Sequence, residues 1–367
     1  MRILLTVDSV GGVWQYGLDL ARALGAQGVE SVIAHLGPPP SPAQRAEARR
    51  IANTKFVETG LPLDWLCDGP APVLAAGGAM AKLAAGERVD LVQYNMPTLA
   101  AAAPPGVPVL TVAHGCVATW WQAAKAGEPL APEYRWHRKL QGEGLRAADL
   151  VVAPSLSYAR VVAKTYGMKH TPVAVHNGRN LPLAAKAASH DCAFTAGRLW
   201  DRVKNAGLLD AVAARLAVPF HAAGPDVGPH GETIALDHLH LTGMLDSATL
   251  ARKLAARPVF VSAASFEPFG LAVLEAAAAG CPLVLSTIPT FRELWDGAAL
   301  FVEGDDPADW ARAVENVIAD GALRARLGDA ARERAGRYTP RAMADAMLPL
   351  YTRLIDARLP TAKAVAA

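Results

Sequence analysis

The chain has 367 residues, too many for one ordinary domain and enough for two that each bury a core of their own. Its composition, 52% hydrophobic and 19% charged with 31 Gly and 27 Pro, is that of a folded globular protein and excludes a low-complexity or fibrous one. With 36 Lys and Arg against 34 Asp and Glu the net charge is +2, which removes the electrostatic case for a nucleic-acid binder.

Residues 1 to 7, MRILLTV, form too short an apolar run for a signal sequence and read as a first strand entering a Gly-containing turn. No segment has the roughly 18 to 20 uninterrupted apolar residues of a membrane span. The four cysteines, Cys67, Cys116, Cys192 and Cys281, are far apart and form no C-x-x-C pair, so reduced thiols in a cytoplasmic protein are expected. A peripheral contact with the inner face of the membrane stays open.

Short β-branched runs alternate with longer Ala/Leu-rich segments of helical period, the pattern of parallel sheets covered by helices on both faces. In the first half, strands are expected at Ile3 to Val7, Ser31 to Leu36, Leu91 to Tyr94, Val109 to Ala113, Leu150 to Ala153 and Val173 to His176. In the second half they are expected at Ala193 to Ala196, Phe220 to Ala223, Leu239 to Leu241, Val259 to Ser262, Leu283 to Ser286 and Leu300 to Val302. Between the two sets, NGRNLPLAAKAASHD (177 to 191) has no strand signal and reads as an interdomain linker. Two such halves would face each other across a cleft, with ligands at the carboxyl ends of their strands. The tail YTPRAMADAMLPLYTRLIDARL predicts a helix capped near Thr339, with Pro340 at its first position and Pro349 kinking or breaking it.

Five stretches carry candidate chemistry. SFEPFGLAVLEAAAAG (265 to 280) follows a strand and predicts a helix from Phe269-Gly270 to Gly280, with Glu267 in the loop before it and Glu275 near its second turn. Amides at such a helix start bind hydroxyls or anions, and two carboxylates beside them suit a polyol. In TAGRLWDRVKN (195 to 205), Arg198 and Lys204 could converge on a diphosphate, Arg as a fork and Lys as a point charge. In VDSVGGVWQYGLDLARAL, Gly11 and Gly12 precede a helix whose first amides could approach a phosphate, although the spacing is not G-x-G-x-x-G. His114 closes the strand of VLTVAHG, where a parallel sheet opens on a ligand. TWWQAAKAGEPLAPEYRWHRKLQ (119 to 141) reads as aromatic core packing, a sugar platform or a membrane-surface contact. His238 and His240 alternate as ligands on one strand face would, but no further metal ligand suggests itself nearby.

The run from Ser265 to Val314, SFEPFGLAVLEAAAAGCPLVLSTIPTFRELWDGAALFVEGDDPADWARAV, resembles the donor-site region of the family 4 glycosyltransferases. The resemblance implies an α/β GT-B fold of two Rossmann-like domains, residues 1 to 180 and 191 to 336, with a C-terminal helix, 337 to 359, returning to the first. The family's E-x7-E pattern is matched by Glu267 and Glu275. It implies that Glu267 and the amides of Phe269, Gly270 and Leu271 hold hydroxyls of the donor sugar, that Glu275 holds the nucleotide ribose, and that Met244 lies on the nucleobase side. The family's G-R…K-N pattern is matched by Gly197, Arg198, Lys204 and Asn205, with Arg198 and Lys204 on the diphosphate. Gly12 matches the glycine that meets the distal phosphate, and His114 a histidine beside the donor sugar. Where the family usually has an N-G-V-D-like turn, this chain has Asn177-Gly178-Arg179-Asn180, a mild departure. The likeness is strongest over residues 193 to 310 and weakest over 38 to 90 and 115 to 145, where acceptor binding would lie.

The activity implied is retaining transfer of a sugar from a nucleoside diphosphate sugar to a glycan, lipid-linked or small-molecule hydroxyl, in polysaccharide or glycoconjugate synthesis. The catalytic set would be His114, Arg198, Lys204 and Glu267, acting by positioning and charge stabilisation, with no cofactor and no divalent metal. The sequence has no D-x-D motif of the metal-dependent kind. Two other readings are a non-catalytic homologue that binds nucleotide or glycan, and a dinucleotide-dependent oxidoreductase, whose glycine spacing the first loop lacks.

Overall fold

The computed structural model describes residues 1–102, 104–180, 190–229 and 231–358. The chain divides into two compact units, one of Met1–Gln122, Gly127–Gly178 and the segment from Pro340, the other of Ala123–Ala126 and Arg179–Thr339. Of the linker expected at 177 to 191, residues 181–189 lie outside the described residues, as does residue 359 of the expected last helix.

Among the described residues the first unit holds seven strands: β1 (Arg2–Asp8), β2 (Glu30–Leu36), β3 (Thr54–Leu61), β4 (Leu91–Tyr94), β5 (Val109–Val112), β6 (Leu150–Ala153) and β7 (Val173–Ala174). All pairs are parallel and the order is β3-β2-β1-β4-β5-β6-β7. The strand order reverses between β1 and β4, where Ile3 lies between Ser31 on one side and Leu91 on the other.

Alternation along β1 explains the two helical layers. Ile3, Leu5 and Val7 pack with Trp14 and Leu18 of the helix Gly12–Gly25 and with Met343, Met347 and Tyr351 of the helix Pro340–Arg358. Leu4 joins Val32 and Ala34 on the other face, against Val73 and Met80 of the helix Pro70–Gly86. A strand buried on both faces must be apolar throughout, which is why ILLTV shows no polar period.

The second unit repeats the plan with six strands among the described residues: β8 (Ala193–Ala196), β9 (Phe220–Ala223), β10 (His240–Leu241), β11 (Val259–Ser262), β12 (Leu283–Ser286) and β13 (Leu300–Val302). Their order is β10-β9-β8-β11-β12-β13, again all parallel, and it reverses between β8 and β11. Val259 and Val261 face Leu209, Val212 and Trp310, while Phe260 faces Leu274, Trp295 and Tyr338.

Four expectations are corrected. β3 was not expected; it is an edge strand whose residues alternate between exposed and partly covered, so it lacks a buried apolar run. Three expected strands are shorter than predicted, at Val109–Val112, Val173–Ala174 and His240–Leu241. The helix after Glu267 begins at Leu271 rather than Phe269, because Phe269 is buried against Tyr338 and Gly270 turns the chain with a left-handed φ of 94°. Finally, the helix Pro340–Arg358 runs through Pro349 without a break. An interior proline costs about 3 kcal/mol. Burial of Met343, Met347 and Tyr351 on either side of it offsets that cost, at about 1.5–3 kcal/mol per large side chain.

The aromatic segment after residue 119 packs upon itself: Trp121 is buried and its ring lies 5.8 Å from that of Tyr134. His240 stacks beside His221 at 5.4 Å. Among the described residues no helix is long and apolar enough to cross a membrane.

Candidate donor site

Most of the candidate residues follow strands that flank a reversal of strand order, the place where open α/β sheets bind ligands, while His114, after β5, lies one strand beyond it. In the second unit these are the segments after β8 and β11.

After β8 the chain turns at Gly197, whose N–H donates to the Ala223 carbonyl at 2.9 Å. The turn after β9 comes so close that a Cβ on Gly224 would stand 1.7 Å from the Gly197 carbonyl oxygen. Gly224 N–H in turn donates to the Gly243 carbonyl at 2.9 Å, so the loop carrying Met244 is anchored beside the same turn. Met244 itself is 75% exposed, an apolar side chain left standing in solvent.

Asp201 organises the next residues. Its side chain is buried, accepts from the Val203 N–H at 3.3 Å and so caps the short helical turn Arg202–Lys204. It also holds Arg198 Nη2 at 2.7 Å. The Arg198 guanidinium lies over the Trp200 ring, 5.6 Å from its centroid, and its Nε is buried without a hydrogen-bond partner among the described residues. Asp201 is thus a positioning residue that sequence reading passed over, although an acid directly before a helical turn is a capping signal.

After β11, Ser265 N–H donates to the Val203 carbonyl at 2.9 Å and ties the Glu267 loop to the Lys204 turn. Lys204 Nζ then pairs with Glu267 Oε1. The sequence assigned these two side chains to different parts of one ligand, and the fold sets them in direct contact. Both are mostly covered, at 20% and 15% exposure, so the pair is held less loosely than a surface one.

Gly270 is the N-cap of the helix Leu271–Ala279 and offers no side chain there. A Cβ at this position would sit 3.1 Å from Phe291, in a left-handed conformation that other residues rarely take. The cap therefore presents backbone rather than side chain beside Glu267, with Gly270 itself buried. Phe269 is fixed by an edge-on contact with Tyr338, ring centroids 5.8 Å apart.

Glu275, one turn further on, is buried, and its carboxylate has a partner the sequence reading did not supply. Arg179 Nε donates to Glu275 Oε1 at 2.7 Å, and Arg179 Nη2 to Ser247 Oγ at 3.3 Å. The departure Asn177-Gly178-Arg179-Asn180 is therefore not mild: its arginine neutralises the second glutamate of the E-x7-E pair.

In the first unit, Gly12 follows β1 as the first residue of the helix Gly12–Gly25, rather than preceding it. Asp8 Oδ1 engages the two amides before it, Val10 at 2.9 Å and Gly11 at 3.1 Å, which fixes the loop. His114 follows β5, and its Nε2 lies 3.1 Å from Oδ1 of Asn95, the residue directly after β4. Asn95 is held by Thr6, through its Nδ2 on the Thr6 carbonyl at 2.6 Å and its N–H on the Thr6 hydroxyl at 2.8 Å. Gln93 Nε2 donates to Asn95 Oδ1 at 3.0 Å and to the Tyr16 hydroxyl at 3.2 Å, while the Tyr351 hydroxyl donates to Gln93 Oε1. The Tyr16 ring meets the imidazole edge-on at 4.3 Å. Burial pushes the His114 pKa down to about 3, so the ring is neutral near pH 7.

Two open, all-parallel sheets with charged side chains and a bare helix cap at the strand-order reversal define a GT-B architecture. Residues 10–181 match the family described as Glycosyltransferase Family 4, and residues 191–320 match Glycosyl transferases group 1. Its two halves thus match two glycosyltransferase family models, each over less than half of the chain. Solved structures agree in fold: sucrose-phosphate synthase from Thermosynechococcus elongatus aligns with a TM-score of 0.75 over 97% of this chain and 100% of that one, at 19% identity. Anabaena HepE, solved in complex with UDP and glucose, aligns with a TM-score of 0.73 over 96% and 100%, at 15% identity. Among curated relatives, the D-inositol 3-phosphate glycosyltransferase of Corynebacterium jeikeium is 38% identical over 90 residues, 24% of this chain and 22% of that protein. The lipopolysaccharide core glycosyltransferase LpsE of Rhizobium meliloti is 38% identical over 100 residues, 26% and 29%. This chain thus matches less than a third of the length of either relative.

Proposed function

We propose that the protein transfers a sugar from a nucleoside diphosphate sugar to an acceptor hydroxyl, with retention at the anomeric carbon and without a divalent metal. The observation that carries the reading is the contact of Lys204 with Glu267 beside the Gly270 cap, at the strand-order reversal of the second sheet. A cation and a carboxylate side by side, next to a helix cap without a side chain, fit a ligand whose diphosphate adjoins its polyol. The solved complexes of Anabaena HepE with UDP and with UDP-glucose make UDP-sugars the first donors to try.

In this reading Arg198 and Lys204 stabilise the leaving diphosphate, supplying the charge that a metal would otherwise bring. Glu267 and the Phe269, Gly270 and Leu271 amides hold sugar hydroxyls, Glu275 holds the ribose and Met244 lies toward the base. The family resemblance assigns Gly12 to a phosphate oxygen and the neutral His114 to a sugar hydroxyl. The anomeric C–O bond to the diphosphate breaks and the acceptor oxygen bonds the same face of that carbon. Its proton passes to a leaving phosphate oxygen, so no carboxylate nucleophile is needed. All four cysteines are free thiols, which suits a cytoplasmic enzyme, and a glycan, a lipid-linked sugar or a small polyol is the acceptor class.

A thermal-shift screen of UDP-, GDP- and ADP-sugars with EDTA present, followed by nucleoside diphosphate release on an acceptor panel that includes inositol phosphates, tests the proposal. Stabilisation and release in EDTA support it. No stabilisation by any donor sinks the donor site, and binding without release on every acceptor leaves a non-catalytic binder.

A further inference from the structure

We propose that Arg179 is a positioning residue that aims the Glu275 carboxylate at the ribose of the bound nucleotide, and so sets discrimination between ribonucleotides and deoxyribonucleotides. The inference rests on the donor-site reading above, in which Glu275 is the ribose ligand.

Contacts with described residues hold Arg179 at both ends. Its N–H donates to the Tyr338 carbonyl at 3.2 Å, its Nε to Glu275 Oε1 at 2.7 Å and its Nη2 to Ser247 Oγ at 3.3 Å. Ser247 opens the helix Ser247–Ala255, whose Asp246 cap accepts from the Thr249 N–H. The guanidinium is therefore braced between a helix start and the carboxylate. Its side chain is 6% exposed and that of Glu275 11%. A carboxylate at this depth stays charged only when a cation pays for its lost hydration. Arginine does so directionally, since a planar fork fixes where the carboxylate oxygen lies while an ammonium would not.

The brace also reaches the start of the helix that carries Glu275. Tyr338, whose carbonyl receives the Arg179 N–H, packs its ring against Phe269, and the Gly270 cap follows directly. Arg179 thus grips the helix Leu271–Ala279 indirectly at its start and directly at Glu275, and Glu275 cannot take another rotamer without breaking the 2.7 Å contact. A ribose diol hydrogen-bonds well only to a carboxylate held in one orientation, and the gain from such fixing is specificity for the hydroxyls. A purely structural ion pair would affect stability alone.

The test measures affinities of UDP, GDP and ADP, and of their 2′,3′-dideoxy counterparts, for the full chain and for Arg179→Met, Arg179→Lys and Glu275→Gln. The expected result is a ribonucleotide preference of about tenfold or more in the parent, falling to within about threefold in Arg179→Met and Glu275→Gln and partly kept in Arg179→Lys. If Arg179→Met fails to fold, Arg179→Lys and the double variant Arg179→Met, Glu275→Met, which replaces the buried pair by apolar side chains, carry the comparison. Binding with the preference lost in Glu275→Gln but intact in every Arg179 variant overturns the inference and leaves the donor site standing. A parent without ribonucleotide preference overturns the ribose role and the inference with it. No binding of any nucleotide by the parent overturns the donor site itself.

Discussion

His114 Nε2 faces Asn95 Oδ1 at 3.1 Å, and because the Asn95 amide nitrogen donates to the Thr6 carbonyl, the oxygen is the group turned to the ring. Nε2 therefore carries the proton, and Nδ1 of the neutral imidazole is the acceptor. A histidine whose pKa falls from 6.5 to about 3 on folding takes up its proton first in the unfolded chain. Between those values the unfolded state binds more protons, so stability drops as the pH falls through the window, by at most about 1.4 kcal/mol per pH unit for one group. Above pH 6.5 the contribution is flat. Urea unfolding of the parent and of His114→Gln between pH 4 and 8 should give stability curves that run parallel above about 6.5 and change their separation below it. Curves parallel throughout would show that the imidazole is not held neutral.

Tyr351 belongs to the last helix yet closes the hydrogen-bond chain that ends at His114, through Gln93 and Asn95. Tyr351→Phe keeps the ring and its packing but strips the donor from a fully buried amide oxygen. Its expected cost is about 1–3 kcal/mol of unfolding free energy, the penalty of one buried unsatisfied group. A chemical-denaturation midpoint unchanged from that of the parent would show that Gln93 finds another donor.

Much of this was legible before the fold was known, for definite reasons. Buried parallel strands are short apolar runs, so stretches such as ILLTV, VFVS and LVLS announce themselves. TKFVETGL escaped because an edge strand half in solvent alternates polar and apolar residues. Glu267 and Gly270 stand in one short stretch and Arg198 and Lys204 in another, which is why a sequence picks them out as candidates. Their partnership does not show there: Lys204 and Glu267 are 63 residues apart, Arg179 and Glu275 are 96, Gln93 and Tyr351 are 258. Those pairs are made by strand order, and strand order is not written in local pattern.

The Lys204–Glu267 pair has a consequence opposite in sign for its two members. In the proposed donor site Lys204 meets phosphate, so Lys204→Met should lower nucleoside diphosphate affinity by about 10- to 100-fold. Glu267→Gln removes the carboxylate that competes with phosphate for the ammonium group, so affinity for the nucleoside diphosphate alone should rise by about two- to tenfold. In the proposed site the same substitution takes a ligand from the sugar and should raise KM for the intact donor. Calorimetric titration of both variants with the nucleoside diphosphate separates these effects. A loss of affinity in Glu267→Gln comparable to that in Lys204→Met would mean that the two side chains act on the same part of the ligand.

Gly224 couples the β9 turn to Gly197, next to Arg198, the cation proposed to meet phosphate. Its φ of 130° is one that residues with a Cβ rarely adopt, and a Cβ there would overlap the Gly197 carbonyl oxygen at 1.7 Å. Gly224→Ala must therefore push the turn away from Gly197, the residue that leads into Arg198. The neighbouring bond from Gly224 N–H to the Gly243 carbonyl at 2.9 Å would be strained by the same movement, disturbing the loop that bears Met244. A destabilisation of about 1–3 kcal/mol is expected, together with a weaker grip on nucleoside diphosphates. Gly228→Ala serves as the control, since the Cβ it adds meets the ends of side chains, Glu232 at 2.3 Å and Trp200 at 2.9 Å, rather than backbone. Equal losses of nucleotide affinity in both variants would place the effect in Trp200, whose ring lies under the Arg198 guanidinium, and not in the Gly197–Gly224 contact.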